Sequence, residues 1–134
     1  MGSDYIMRMV EEFARVLARV LFFKEMKQYV NAMDELDNLS KMMSGLDLEQ
    51  IKSLGLDGVK HFFDLNNFSN VEKVFYTGKA LKEEGWIYFE QGNIDEAMAS
   101  IAFALGMFEM IQEKGIKGIP GLDEEINIIR RRLS

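Results

Sequence analysis

Residues 81–108 read LKEEGWIYFEQGNIDEAMASIAFALGMF. Two helical patterns meet in this stretch. At 100° per residue, Val71, Val74, Gly78, Leu81, Gly85, Tyr88 and Phe89 share one face of a helix opened by Ser69 with Glu72 and running to about Gln91. Gly92 and Asn93 form a turn, with Asn93 capping the next helix through Glu96. That helix spans about Ile94 to Lys114 and carries two stripes, one of Ala97, Ile101, Ala104, Phe108 and Ile111, the other of Phe103, Met107 and Met110. Glycine inside a helix costs about 1 kcal/mol relative to alanine, so Gly78 and Gly85 make sense where a neighbouring helix comes close. A hairpin with apolar surface on both sides needs helices on both flanks. The expected fold is all-α, a stack of antiparallel helix pairs.

The remainder of the chain supplies the neighbours. A first helix from about Asp4 to Met26, capped by Ser3 or Asp4, shows Ile6, Met9, Val10, Phe13, Val16, Leu17, Val20 and Leu21 as one broad apolar face. A face that wide must touch more than one helix. A second helix, Tyr29 to Met43, carries Tyr29, Ala32, Leu36, Leu39 and Met43 on one stripe and stops at Gly45. The short link makes the two antiparallel. Residues 46–69 are irregular: Asp47 with Gln50 reads as a capping box, Gly55 and Gly58 interrupt, and two short helical pieces are expected. After a loop containing Gly115, Gly118, Pro120 and Gly121, a last helix at 122–133 presents Leu122, Ile126, Ile129 and Leu133 as a cap. All 134 residues form one domain.

Composition narrows the chemistry. Without cysteine there are no disulfides and no thiolate sites, and the one histidine, His61, leaves a histidine-based metal site unsupported. His61 stands beside Phe62 and Phe63 and reads as a partly buried helix-end residue, with only Asp57 and Asp64 near it in sequence. The acid pairs Glu11–Glu12, Glu83–Glu84 and Glu124–Glu125 point about 100° apart on their helices and do not converge. No Glu-x-x-His motif and no phosphate-binding glycine loop occurs. The expectation is a protein that is not an enzyme and needs no cofactor or metal. The net charge of −6 is concentrated in 31–100, which disfavours nucleic acid as partner. Arg130, Arg131 and Arg132 suit the negative end of the last helix. No apolar run is long enough for a membrane span and no signal peptide is evident, so a cytoplasmic location without membrane contact is expected.

The chain also matches itself. Lys27–Ala32 lies over Gly92–Ala97, Leu36 over Ile101, Leu39 over Ala104, Val20 over Gly85 and Phe23 over Tyr88. The offset of 65 residues is near twice a period of about 34. The second copy resembles a tetratricopeptide (TPR) repeat: Leu81, the small Gly85, the aromatic Tyr88, the turn Gly92-Asn93-Ile94-Asp95-Glu96-Ala97, then Ile101, Ala104 and Leu105. Glu84 and Glu109 depart from the motif's leucine and proline. The clearest repeat spans about 78–111 and a degenerate one about 14–45, with Arg19, Val20 and Lys27 off the motif. The resemblance implies a groove that binds peptides or partner helices. Asp4–Arg19, Leu46-Asp47-Leu48 and Leu81–Gly85 are also similar to a bacterial family of small helical proteins of unknown function, a likeness that carries no activity with it.

Most of the site candidates fall on the first helix. Arg8, Glu12, Arg15 and Arg19 lie in a narrow strip. Guanidinium forks suit carboxylates and other anions. The same strip can equally be a solvated face, with Asp4–Arg8 and Glu11–Arg15 paired along the helix, or a network with acids of later helices. Phe22 and Met26 extend the strip as an apolar end, expected to pack internally, with self-association into a homodimer as the alternative. The function expected is a protein- or peptide-binding or scaffolding module. The alternatives are a protein whose sole partner is itself, or a binder of a small anion through the arginines.

Overall fold

The computed structural model describes residues 2–134, with side chains from Met7 onward. It is all-helical among the described residues: α1 (Gly2–Glu25), α2 (Tyr29–Ser44), α3 (Leu48–Phe62), α4 (Phe68–Glu90), α5 (Ile94–Glu113) and α6 (Leu122–Leu133). The helix pairs stack as the hydrophobic pattern demands. α1 and α2 form one antiparallel hairpin, α4 and α5 a second, α3 lies against α5 and α2, and α6 closes over α5. One apolar core runs through all six helices, from Phe13, Val20 and Leu36 to Ile101, Phe108 and Ile129.

α4 is the central rod. It meets α1, α2 and α5, and it reaches α6 through Lys82–Glu125 and through Arg132, whose guanidinium lies 4.1 Å from the centre of the Trp86 ring. Its contacts also fix direction. Phe13 meets Tyr76 (ring centres 5.0 Å apart) and Lys24 meets Glu90 at 3.7 Å, so α1 and α4 advance together. Glu125 sits at Lys79 and Lys82 while Arg132 sits at Trp86, so α6 advances with them. Three parallel helices therefore make one layer, α1–α4–α6, with α2 and α5 running the other way.

The glycines of α4 permit its contact with α5. A Cβ at Gly78 would stand 2.8 Å from Phe108 Cε1, and one at Gly85 would strike the Ile101 side chain and lie 3.3 Å from the Ala97 carbonyl oxygen. The approaches to Phe108 and to Ile101 are closer than carbon atoms tolerate, so a side chain at either position would force its neighbour to shift. This is the close approach the sequence pattern implies.

Several local expectations hold. Asp47 and Gln50 form both bonds of the capping box, and Gly45 ends α2 in the left-handed conformation at φ 82°, its N–H bonded to the Lys41 carbonyl. The chain at 48–62 bends at Gly55 (φ 71°, ψ 167°), which divides it into two helical pieces; Gly58, the other expected breaker, stays helical.

Other expectations need correction. Asn67 caps α4 by accepting from the Ser69 N–H, so Ser69 is inside the helix and not its cap. Asn93 precedes α5 but its side chain makes no capping bond. α1 already begins at Gly2, which places Ser3 and Asp4 within it; their side chains lie outside the described residues. The broad face of α1 is only partly covered: Met9, Phe13, Val16 and Val20 are buried, while Val10 and Leu21 are exposed. Leu133 is exposed as well, at the C-terminal end of the capping stripe.

Candidate interaction surfaces on the first helix

The arginine strip runs along the flank of α1 that faces α2. Arg15 donates to Glu12 through Nε (3.0 Å) and Nη2 (2.6 Å), the pair three residues apart and not the expected Glu11–Arg15. Arg19 donates to Glu35 of α2 at 2.9 Å and lies 3.9 Å from Glu12. The strip is thus partly a solvated face and partly a clasp between α1 and α2. Asp4, the expected partner of Arg8, lies outside the described side chains. Arg8, Glu12 and Arg15 do come together, with Met9, Met42 and Met43, around an open cleft of about 350 Å³. Met42 of α2 is a member that no pattern on α1 alone points to.

Phe22 and Met26 do not pack internally. Each is 56% exposed, and Phe22 touches the neighbouring Phe23 edge-on at 5.8 Å. They fall about 210° and 250° around the wheel from the core-facing side of Phe13 and Val16.

A second open line lies on the other flank of α1. Met7, Val10, Ala14, Leu17 and Leu21 follow one another at spacings of three and four. Leu17 is half-buried, and the other four are exposed, Val10 at 37% and Leu21 at 48%. No charged side chain interrupts the line.

The interior contains polar groups that the hydrophobic pattern conceals. Lys52 of α3 donates to Glu84 of α4 at 2.9 Å and to Ser100 of α5 at 3.1 Å, and the Ser100 hydroxyl donates to the same Glu84 oxygen at 2.7 Å. Burial raises the Glu84 carboxyl above its ordinary value, with the Lys52 and Ser100 hydrogen bonds pulling it back. For Lys52 burial acts to lower the ammonium, but Glu84, Glu49 and Tyr88 outweigh it and hold the group above the usual lysine value. Lys52 thus donates to both other members of the trio, and Ser100 is fully buried beside it. The trio joins three helices. Glu84, the departure from the TPR motif, was its one visible signal.

A second clasp joins the parallel layer. Lys82 donates to Glu125 at 2.5 Å. Lys79 lies 3.7 Å from Glu125 and over the rings of Phe13 (4.9 Å), Phe75 (5.5 Å) and Tyr76 (5.6 Å), tying α1 and α6 to α4. Of the terminal arginines, Arg130 pairs with Glu109 at 2.7 Å and Arg132 covers Trp86, so two of the three hold α6 in place. His61 is exposed in the last turn of α3, not partly buried. Among the described residues, no three histidine or carboxylate groups converge in a way that could hold a metal ion. No helix among them is long and apolar enough to cross a membrane.

A family model matches residues 1–101, three-quarters of the chain. The chain belongs to a family of unknown function, DUF6483. The matched region takes in α1 to α4 and the first part of α5, and so includes the α1 surfaces and the Lys52–Glu84–Ser100 trio. α6 with Glu125 lies beyond it. No curated protein and no solved structure matches the chain.

Proposed function

We propose that this DUF6483 protein is a non-enzymatic interaction module, TPR-like in build, that docks a protein segment or helix on α1. One observation carries the reading: α1 has more apolar surface than its own chain covers, with Val10 and Leu21 open on one flank and Phe22 and Met26 on the other. Soluble proteins leave such surface open chiefly where something binds. The close α4–α5 approach at Gly85 supports the TPR likeness, and amphipathic helix docking is a recurrent mode for such surfaces. A Lys52 held as a cation and a Ser100 sealed from solvent support a structural and not a catalytic interior. The acidic middle of the chain supports a protein and not a nucleic acid as partner, and the absence of a membrane-spanning helix among the described residues agrees with a cytoplasmic setting.

Photo-crosslinking tests this reading. Benzoylphenylalanine in place of Leu21 or Met26, in cells that make the protein, gives a discrete protein adduct, whereas the same group in place of the exposed Asn127 of α6 gives none. Absence of any adduct from α1 overturns the proposal.

The cleft bounded by Arg8, Arg15 and Met42 favours a second reading, a small anionic ligand. Under it, citrate or inorganic phosphate raises the melting temperature of the parent protein and not of Arg8→Ala/Arg15→Ala. An equal response in both proteins removes it.

A further inference from the structure

We infer that the groove beneath α6 is an exchangeable helix site: α6 fills it in cis, and an amphipathic helix of a partner protein, with an acid at the place of Glu125, fills it in trans. The site lies on a face other than the open flanks of α1 and does not rest on them.

α6 is seated as docked helical peptides are. Its buried residues are Leu122, Glu125, Ile126 and Ile129, the i, i+3, i+4 and i+7 anchors of one helix face. Asp123, Glu124, Asn127 and Arg131 are exposed. The helix has 12 residues and no side-chain cap at its start. A segment that short is marginal by itself in water and takes its helical form from what it lies on. Gly121, left-handed at φ 85°, is the pivot that joins it to the preceding loop. Beyond that pivot, among the described residues, no backbone bond ties it to another helix. Side chains hold it: the buried anchors, and at the rim Gln112 to Asp123 (3.1 Å), Arg130 to Glu109 and Arg132 over Trp86.

The groove selects its occupant by charge. On the α4 wall Lys82, 7% exposed, donates to Glu125, and Lys79 lies 3.7 Å from the same carboxylate. With Glu125 withdrawn, the carboxylate left to Lys82 is that of Glu83 at 3.9 Å. A cation at that depth favours an opposite charge brought to it. The entering helix therefore carries an acid at i+3 among apolar anchors at i, i+4 and i+7. α4 lies within the matched family region and α6 beyond it, so the selecting lysines belong to the family stretch and their resident acid does not. A second copy would only trade one α6 for another and leave every groove filled as before, which assigns the trans helix to a different protein.

Peptide exchange on the full chain tests the proposal. A fluorescein-labelled peptide of residues 119–134 competes with the tethered α6, which the loop holds at high effective concentration. Ile126→Ala/Ile129→Ala in the protein loosens the resident helix and leaves the groove walls as they are. By fluorescence anisotropy the peptide binds this variant about tenfold or more tightly than it binds the parent. The same peptide with Glu125→Ala binds the variant about tenfold or more weakly, and adding Lys82→Met to the variant removes the difference between the two peptides. Absence of binding to the loosened variant, or equal binding of both peptides to it, overturns the site. Sedimentation of the parent as two chains overturns the foreign partner in favour of exchanged α6 helices. Hydrogen exchange on the unaltered protein decides where the variant does not fold: the α6 amides exchange as a group before those of α4. If they exchange only when α4 unfolds, α6 does not leave and the inference fails. The α1 crosslinks read a separate surface, so either reading can fall without the other.

Discussion

The ammonium of Lys52 and the carboxylate of Glu84 meet at 2.9 Å across the α3–α4 boundary, with side chains only 14% and 7% exposed. A buried ion pair of this kind contributes little against an apolar replacement, but removing one partner strands the other. Lys52→Met alone should cost about 3 kcal/mol for that reason. Adding Glu84→Leu should return most of the loss. Urea denaturation of the two single variants and the double variant measures the coupling, and additive losses would contradict it.

Glu72 presents a contrasting case. It is 8% exposed, and its Oε1 has no hydrogen-bond partner among the described residues. Burial raises its carboxyl above 4.5. A raised acid holds its proton more tightly in the folded than in the unfolded chain, so its ionisation weakens the fold as pH rises through the shifted value. Glu72→Leu should therefore gain about 1 kcal/mol at pH 7.5. That gain should shrink towards pH 4.5, as the parent carboxyl becomes protonated. Denaturant midpoints of parent and variant across that range check both the sign and the window.

Thr77 is fully buried with an unpartnered hydroxyl among the described residues. Thr77→Val keeps the shape and removes the unsatisfied group. A stabilisation of about 1 kcal/mol is expected by thermal or urea unfolding.

At Gly85 the space itself is the constraint. Gly85→Ala improves helix propensity by about 1 kcal/mol, yet it drives a methyl group into Ile101 and towards the Ala97 carbonyl. Overpacking of this kind costs about 1–3 kcal/mol, so the variant should be less stable than the parent. Gly85→Ala combined with Ile101→Val should recover part of the difference.

The α4–α5 hairpin was legible in the sequence because its signals agree: alternating turns of apolar residues, a Gly-Asn turn, and glycines at 78 and 85 placed one helical face apart. The same periodicity placed α1, α2 and α6 to within about two residues, but it did not fix the limits within 46–69. What periodicity could not supply was partnership between distant charges. Lys82 and Glu125 resemble ordinary surface residues of amphipathic helices, and only Glu84, standing where the TPR motif wants leucine, carries a local mark of burial. Their partners stand 32 and 43 residues away. The capping error at Ser69 has a nearer cause. Asn67 offers the same chemistry two residues earlier and accepts the Ser69 backbone N–H, which draws Ser69 into the first turn. Phe22 and Met26 were misplaced because a wheel shows which way a side chain points, not whether a helix stands there to receive it.

Lys82 offers a way to compare members of the family by a single position. Its carboxylate, Glu125, arrives on a helix outside the stretch that defines the family. A relative that stops short of this helix, yet shares the first five, would leave the ammonium with only the adjacent Glu83 carboxylate, 3.9 Å away in this chain. Such a chain gains by carrying a shorter or apolar side chain there, or by drawing an acid from an associated molecule. The identity of one amino acid in the middle of α4 thus forecasts how a relative finishes.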